Sequence, residues 1–114
     1  MTPKEMAEFA AKIAEDKKGT DITVLEVSDV TIIADYFVIC TCGSTIHIKT
    51  IADEIELKFK QNLEIYPHHI EGYESRSWIL MDYHDILIHL FLKETREFYS
   101  IERLWSDARK VDLI

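Results

Sequence analysis

The sequence predicts a single α/β domain of the α+β type, in which helices flank a mixed central β-sheet. Its length of 114 residues suits one hydrophobic core that needs no crosslinks. Apolar residues recur at helical spacing in three segments and at strand-like spacing in four others, in the order α-β-β-α-β-β-α. We expect residues 1–108 to form the domain and residues 109–114 to form a short C-terminal tail that frays or docks weakly.

The composition and charge of the chain indicate which classes of partner it can bind. No apolar run approaches the roughly 20 residues that cross a bilayer, and no signal-peptide pattern opens the chain, so we expect a cytoplasmic protein with no membrane partner. Thirteen basic residues against 21 acidic residues give a formal net charge of −8. Because the basic residues are scattered, this charge argues against direct nucleic-acid binding and favours a basic protein partner.

The first helix is predicted by its capping signals. Thr2 and Glu5 have the spacing of a capping box, and Pro3 stands at the first helical position. Gly19 supplies a stop signal. Between these signals the sequence carries an apolar stripe at helical spacing, made of Met6, Phe9, Ala10 and Ile13.

Two strands are predicted to follow, at Asp21–Val27 and Ala34–Thr41. The second is apolar on both faces, which is typical of a central strand. Cys40 and Cys42 stand two residues apart, so their side chains should face the same side of this strand. We expect two reduced, buried thiols, because a disulfide within one strand is unfavourable and no histidine has ligand-like spacing with them.

The second helix is predicted to begin at Gly43-Ser44-Thr45 and to run to about Gln61. A strand followed by Gly-Ser and a helix also opens the phosphate site of nucleotidyltransferases, which then need two acids on a neighbouring strand to hold magnesium. The acids at the matching distance are Asp53, Glu54 and Glu56, all inside the predicted helix. Glu54 and Glu56 would diverge by about 200°, so the Gly-Ser is better interpreted as a helix start.

The segment Trp78–Phe91 reads as two strands joined by an acidic turn, after a turn or short edge strand at Glu71-Gly72. An even-length loop at Tyr83-His84 or His84-Asp85 pairs even positions of the first strand with odd positions of the second. One face is then wholly apolar and contains Ile79, Met81, Ile86, Ile88 and Leu90. The other, which we call the mixed face, contains Trp78, Leu80, Asp82, Leu87, His89 and Phe91.

The mixed face has two interpretations. An exposed tryptophan beside fixed charge is typical of a protein-binding patch. Alternatively, a helix covers this face, with His89 and Asp82 paired at its rim. The last predicted helix, from Glu94 to about Ala108, buries an apolar stripe and leaves Tyr99 beside it, exposed. That stripe consists of Phe98, Ile101, Leu104 and Trp105.

Enzyme signatures are weak. His89 beside Asp82 resembles a general base with its orienting acid, but a structural hydrogen bond is the better interpretation of the pair, because nothing else in the sequence points to a reaction. Asp82 and Asp85 could converge on a metal across the turn, although no nearby basic residue would balance a triphosphate. The sequence has no nucleophile elbow, zinc-protease motif or glycine-rich phosphate loop. We therefore expect no catalytic residue, no metal and no cofactor.

Four blocks of the chain together carry a family resemblance, and they lie at Asp21–Thr41, Thr50–Ile55, Glu71–Phe91 and Glu94–Trp105. In the third block a Glu-Gly pair precedes the pattern W-x-x-x-D-Y-x-D-x-x-x-H-x-F, and the fourth reads E-x-R-x-F-Y-x-x-E-x-L-W. Through these blocks the chain resembles the ribosomal silencing factor family, also called the Iojap or RsfS family.

This resemblance implies a nucleotidyltransferase-like core without catalytic acids and a role that is not enzymatic. It implies binding to the fourteenth universal protein of the large ribosomal subunit, on the face that meets the small subunit. Such binding would block subunit association sterically and lower translation when nutrients are scarce. It also implies a tendency to form homodimers. A nucleotide-using enzyme on the same fold remains the alternative, and a homodimeric adaptor for another basic protein is a third possibility.

The chain departs from the family pattern at two positions. Ile46 stands where the family usually has arginine, so a contact made by that arginine is in doubt. His84 stands between the turn acids where the family usually has glycine, and histidine accepts a positive φ only at some cost, so the shape of this turn is left open.

The expected partner surface is centred on Trp78 as the apolar anchor. Asp82 and Asp85 would meet basic side chains, and Glu71 and Tyr99 would form the rim. Two residues of the third block complete the predicted set, namely Tyr83 and His89.

Overall fold

The computed structural model describes residues 1–113. These residues fold around a six-stranded mixed sheet. The strand order is β3-β4-β5-β2-β1-β6, with β2 parallel to β5 and the other neighbours antiparallel. The elements are α1 (Pro3–Asp16), β1 (Thr20–Glu26), β2 (Tyr36–Cys42), α2 (Thr45–Leu63), β3 (His69–Glu71), β4 (Trp78–Asp82), β5 (Ile86–Leu92), α3 (Lys93–Tyr99), α4 (Ile101–Leu104) and β6 (Arg109–Val111). The predicted α+β class, a mixed sheet flanked by helices, is confirmed.

The helices α1 and α2 pack on one face of the sheet. Their start signals act as predicted: the Thr2 hydroxyl accepts a hydrogen bond from the Glu5 N–H at 3.1 Å, and the Glu5 carboxylate accepts one from the Thr2 N–H at 2.9 Å. The rings of Phe9 and Phe59 stack at 5.5 Å and join the two helices over the core.

The central strands β2 and β5 are almost wholly buried. This burial follows from their position between other strands and between two layers of helices. Cys40 and Cys42 lie on the α1–α2 side of β2 as buried free thiols, which confirms the prediction.

The hairpin of β4 and β5 has the predicted register, with even positions of β4 opposite odd positions of β5. Trp78 lies opposite Phe91, and Leu80 lies opposite His89. Its wholly apolar face is buried under α1 and α2. Its mixed face therefore points to the opposite side of the sheet, toward α3 and α4.

The final helix differs from the prediction, because Ser100 breaks it with a left-handed backbone of φ 44°. The break separates α3 from α4 and changes which side chains face the sheet. Ile101 is buried as predicted, but Phe98 is 82% exposed and Leu104 is 76% exposed. The prediction that these two residues are buried is wrong, since it assumed one uninterrupted helix.

The chain returns to the sheet near its end. Arg109–Val111 forms β6, which pairs antiparallel with β1, with Val111 opposite Val24. Residues 109–111 are therefore paired with the sheet, which contradicts the expectation that they fray. That they dock only weakly stays a prediction, and Ile114 lies outside the described residues. Among the helices of residues 1–113, none combines the length and apolarity that a membrane crossing needs.

Candidate partner-binding surface

Three aromatic side chains form a partly exposed cluster at the junction of the mixed face and α3. We call Trp78, Tyr99 and Phe98 the aromatic patch. The ring centroids of Trp78 and Tyr99 lie 4.9 Å apart, and those of Tyr99 and Phe98 lie 5.0 Å apart. Trp78 is partly buried, Tyr99 is 50% exposed and Phe98 is 82% exposed. Exposure thus increases from the sheet outward along this patch.

The position of α3 beside Trp78 is fixed by Arg96. A bulge in β1 leaves Asp21 with a φ of 47° and its carbonyl free of the ladder to β2. The Arg96 guanidinium donates to this carbonyl at 2.6 Å and to the Thr41 hydroxyl at 2.8 Å. It also donates to the Glu102 carboxylate at 2.9 Å. One side chain thereby ties α3 to two strands and to α4.

His89 lies behind the patch and not on the surface, because it is only 5% exposed. Its Nδ1 accepts a hydrogen bond from the Trp78 indole N–H at 3.2 Å. The predicted bond to Asp82 is absent from the described residues, since the Asp82 carboxylate instead accepts from the His84 backbone N–H at 2.8 Å. Burial lowers the pKa of His89 to about 4, so the imidazole is neutral near pH 7.

Tyr83 does not reach the surface either. Its side chain is 4% exposed, and its ring packs 4.7 Å from that of Phe59 in the core beneath α2. Direct contact of Tyr83 or His89 with a partner is therefore ruled out in this conformation. Both must be removed from the predicted surface.

The acidic residues of the predicted surface stand beside the patch on β3, β4 and the turn. Along β4, Trp78, Leu80 and Asp82 share one face and are all partly buried. Trp78 and Asp82 are four residue steps apart, which corresponds to about 13 Å along the strand. Glu71 lies opposite Leu80 on the edge strand β3 and is exposed, as is Asp85 in the turn. A half-open strip of sheet thus links the aromatic patch to three carboxylates.

The loop before Trp78 is held against α2. The Tyr73 hydroxyl donates to the Asp53 carboxylate at 2.7 Å, and the Lys49 ammonium donates to the same carboxylate at 2.7 Å. Gly72 has a φ of 93°, and a Cβ atom there would clash with the carbonyl oxygen of Trp78. The close passage of this loop over the start of β4 therefore requires glycine.

Sequence reasoning missed Phe98 as a surface residue. The signal was present in the adjacent pair Phe98-Tyr99, because neighbours on a helix point about 100° apart and cannot both face one sheet. The shape of the turn, which the sequence left open, is given by the structure: His84 has a φ of 68°, the left-handed backbone that glycine adopts without strain.

The residues that were considered for a nucleotidyltransferase-like site form hydrogen bonds or ion pairs within the fold. The Ser44 hydroxyl accepts from the His47 N–H at 3.0 Å and caps α2, as predicted. Asp53 is paired with Lys49, and Glu54 lies 4.0 Å from the Lys17 ammonium. Within residues 1–113, no group of three or more histidine, cysteine, aspartate or glutamate side chains is arranged to hold a metal ion.

Comparisons with known proteins agree over the whole chain. The family model RsfS, described as ribosomal silencing factor during starvation, matches residues 1–114. The ribosomal silencing factor RsfS of Halalkalibacterium halodurans is 35% identical over 99% of this chain and 96% of its own length. That of Bacillus subtilis is 35% identical over 99% of this chain and 95% of its own length. A crystal structure of a Chromobacterium violaceum protein superposes with a TM-score of 0.89 at 31% identity, covering 99% of this chain and 92% of that one.

Proposed function

We propose that this chain, which belongs to the RsfS family of ribosomal silencing factors, represses translation by holding the large ribosomal subunit apart from the small one. Repression of translation and a ribosomal partner follow from the family. The finer proposal is that the chain binds the fourteenth universal large-subunit protein, at the face that meets the small subunit, without catalysing a reaction.

The observation that carries this proposal is the aromatic patch. Trp78 is backed by fixed neighbours, while Tyr99 and Phe98 extend from it into solvent. Tryptophan and tyrosine at the centre of a contact area contribute more binding free energy than most other residues, because they bury a large rigid surface at little entropic cost. The patch therefore has the composition of an interface centre.

Charge supports a basic partner. The chain carries a net charge of −8, and Glu71 and Asp85 are exposed next to the half-open strip. Carboxylates at the rim of an apolar contact orient a cationic partner and raise its association rate. A basic ribosomal protein meets both requirements of this surface.

The proposed mechanism is steric. The described residues form a body of 34 × 34 × 27 Å. Subunit surfaces that must come into direct contact cannot do so around a rigid folded domain of that thickness. Bound at the intersubunit face, the chain would need no catalytic residue to prevent association.

The test is co-sedimentation of the purified chain with isolated large subunits. Trp78→Ala should weaken binding by about 2 kcal/mol, which is roughly 30-fold, because the substitution removes the centre of the contact. Tyr99→Ala tests the same patch from a half-exposed position, in case truncation of Trp78 unfolds the chain. Leu57→Ala is the matched control, since Leu57 is 45% exposed on α2, on the opposite side of the sheet.

Both patch variants should retain the circular dichroism spectrum of the parent chain. If folded Trp78→Ala and Tyr99→Ala proteins sediment with large subunits as well as Leu57→Ala does, the proposed docking surface is wrong.

A further inference from the structure

His89 is an unexpected residue at its position. It is surrounded by apolar rings, with the centroid of Phe37 at 5.0 Å and that of Trp78 at 6.0 Å. Its Nε2 is buried and has no hydrogen-bond partner among the described residues. Burying an unpaired polar atom is unfavourable, and a leucine would fill the same space without that cost. Core packing alone therefore does not explain a histidine here.

The bond to Trp78 fixes the protonation state of this imidazole. An indole nitrogen can only donate a hydrogen bond, so the Nδ1 of His89 must present a lone pair toward Trp78 Nε1. The single proton of the neutral ring consequently lies on Nε2. In this tautomer the unpaired N–H is at Nε2, in the core, and the acceptor is Nδ1, which faces Trp78.

The same hydrogen bond also orients the indole ring of Trp78. Ring contacts with Phe91 at 4.8 Å and Tyr99 at 4.9 Å hold the Trp78 indole in place but tolerate rotation of the ring. A hydrogen bond from the indole N–H is directional, because its strength falls steeply as the donor angle departs from linear. The lone pair of His89 therefore selects one orientation of the indole from those that the apolar contacts permit.

We infer that His89 is a positioning residue for Trp78, and that its Nδ1 lone pair holds the indole in the orientation that packs against Tyr99. That orientation shapes the aromatic patch. The positioning of Trp78 is a property of the free protein, and only its effect on binding of the ribosomal partner rests on the proposed function.

The first measurement concerns the free protein and needs no ribosome. Solvent exchange of the Trp78 indole N–H is followed by nuclear magnetic resonance in a set of His89 variants. His89→Asn places an amide oxygen near the position of Nδ1 and should keep the bond. His89→Gln is equally polar but places its amide near Nε2, and His89→Leu fills the space without an acceptor.

We expect the indole N–H of His89→Gln and His89→Leu to exchange about tenfold faster than in the parent chain, and that of His89→Asn to stay near the parent value. The backbone amides of the buried central strand β2, followed in the same exchange series, report whether the core has loosened in general. Native exchange at Trp78 in a folded His89→Gln or His89→Leu protein would overturn the inference.

The second measurement is large-subunit binding of the same variants. His89→Gln and His89→Leu should bind about tenfold more weakly, with His89→Asn restoring the affinity. Faster indole exchange together with unchanged binding of these variants and of Trp78→Ala would support the positioning role and refute the proposed docking surface. Unchanged binding of the His89 variants, when Trp78→Ala binds weakly, would refute the functional part of the inference.

Discussion

Among single residues, His89 makes the stability of the fold sensitive to acid. Burial lowers its pKa in the folded chain to about 4, whereas an unfolded histidine has a pKa near 6.5. Below about pH 6.5 the unfolded chain binds a proton that the folded chain does not bind. The unfolding free energy should therefore fall by roughly 3 kcal/mol in all as the pH drops from 6.5 to 4, and this contribution should be constant outside that window.

Urea unfolding at a series of pH values between 7 and 4 measures this effect. Carboxylates also titrate near the lower limit, so the comparison is with His89→Asn, which retains every carboxylate. The difference in unfolding free energy between the two proteins should change with pH across the window. A difference that stays constant from pH 7 to pH 4 would contradict the assigned burial of a neutral His89.

Residue-level prediction from sequence succeeds where a local rule applies. The alternation of side chains along β4 and β5 is such a rule, and it placed His89 on the same face as Trp78, as the structure shows. Tyr83 could also have been placed correctly, because continuing the alternation of β4 by one residue puts it on the same face as Met81. The hydrogen-bond partner of His89 could not have been predicted, because Asp82 and Trp78 lie on the same face as His89 and the sequence alone does not choose between them.

Among the elements, α3 depends on Arg96 for its place on the sheet. The Arg96 side chain is 11% exposed and donates to groups of β1, β2 and α4. Lysine keeps the charge but lacks the planar fork that serves several acceptors at once. Arg96→Lys should therefore lower the unfolding free energy by roughly 2 kcal/mol, because it leaves some of these acceptors unpaired.

Denaturant unfolding measures the loss, and hydrogen exchange of the α3 amides locates it. Arg103→Lys is the matched control, since Arg103 is an exposed arginine on α4. We also expect Arg96→Lys to weaken large-subunit binding, because Tyr99 is carried by α3. If Arg96→Lys is as stable as Arg103→Lys, the role assigned to Arg96 is wrong.

Element boundaries were predictable where the signals are local. The first helix carries its own capping box, proline and apolar stripe, and the structure places all three as expected. The break at Ser100 has no such signal, because neither glycine nor proline marks it and the apolar stripe continues across it. The break instead accompanies contacts with distant segments, namely the hydrogen bonds from Arg96 to Asp21 and Thr41, and the burial of Ile101.

In the whole molecule, strand order depends on pairings between distant segments. The β4–β5 register follows from a short turn and was predictable, but the parallel pairing of β2 with β5 crosses α2 and two strands. The strand β6 has three residues, too few for a periodic pattern, and it forms because β1 offers an open edge. Sequence thus predicted the layers of the fold, while long-range pairing determined the arrangement within the sheet.

The net charge of the whole chain predicts how partner binding depends on salt. The ribosome also contains RNA, which repels a chain of net charge −8, so the test uses the purified form of the partner that we propose, the fourteenth large-subunit protein. Its association rate constant should fall about tenfold as sodium chloride rises from about 0.05 to about 0.5 M, because salt screens the attraction that guides encounter. The dissociation rate constant should change little.

Stopped-flow measurements on two variants separate charge from apolar contact. Replacing Glu71 and Asp85 by glutamine and asparagine should flatten the salt dependence of association, since both carboxylates are exposed at the rim. Trp78→Ala should instead raise the dissociation rate constant and leave the salt dependence intact, because a partly buried ring contributes after encounter. An association rate that does not respond to salt would mean that the partner is not recognised through its charge, and the basic ribosomal protein would lose its main support as the ligand of this surface.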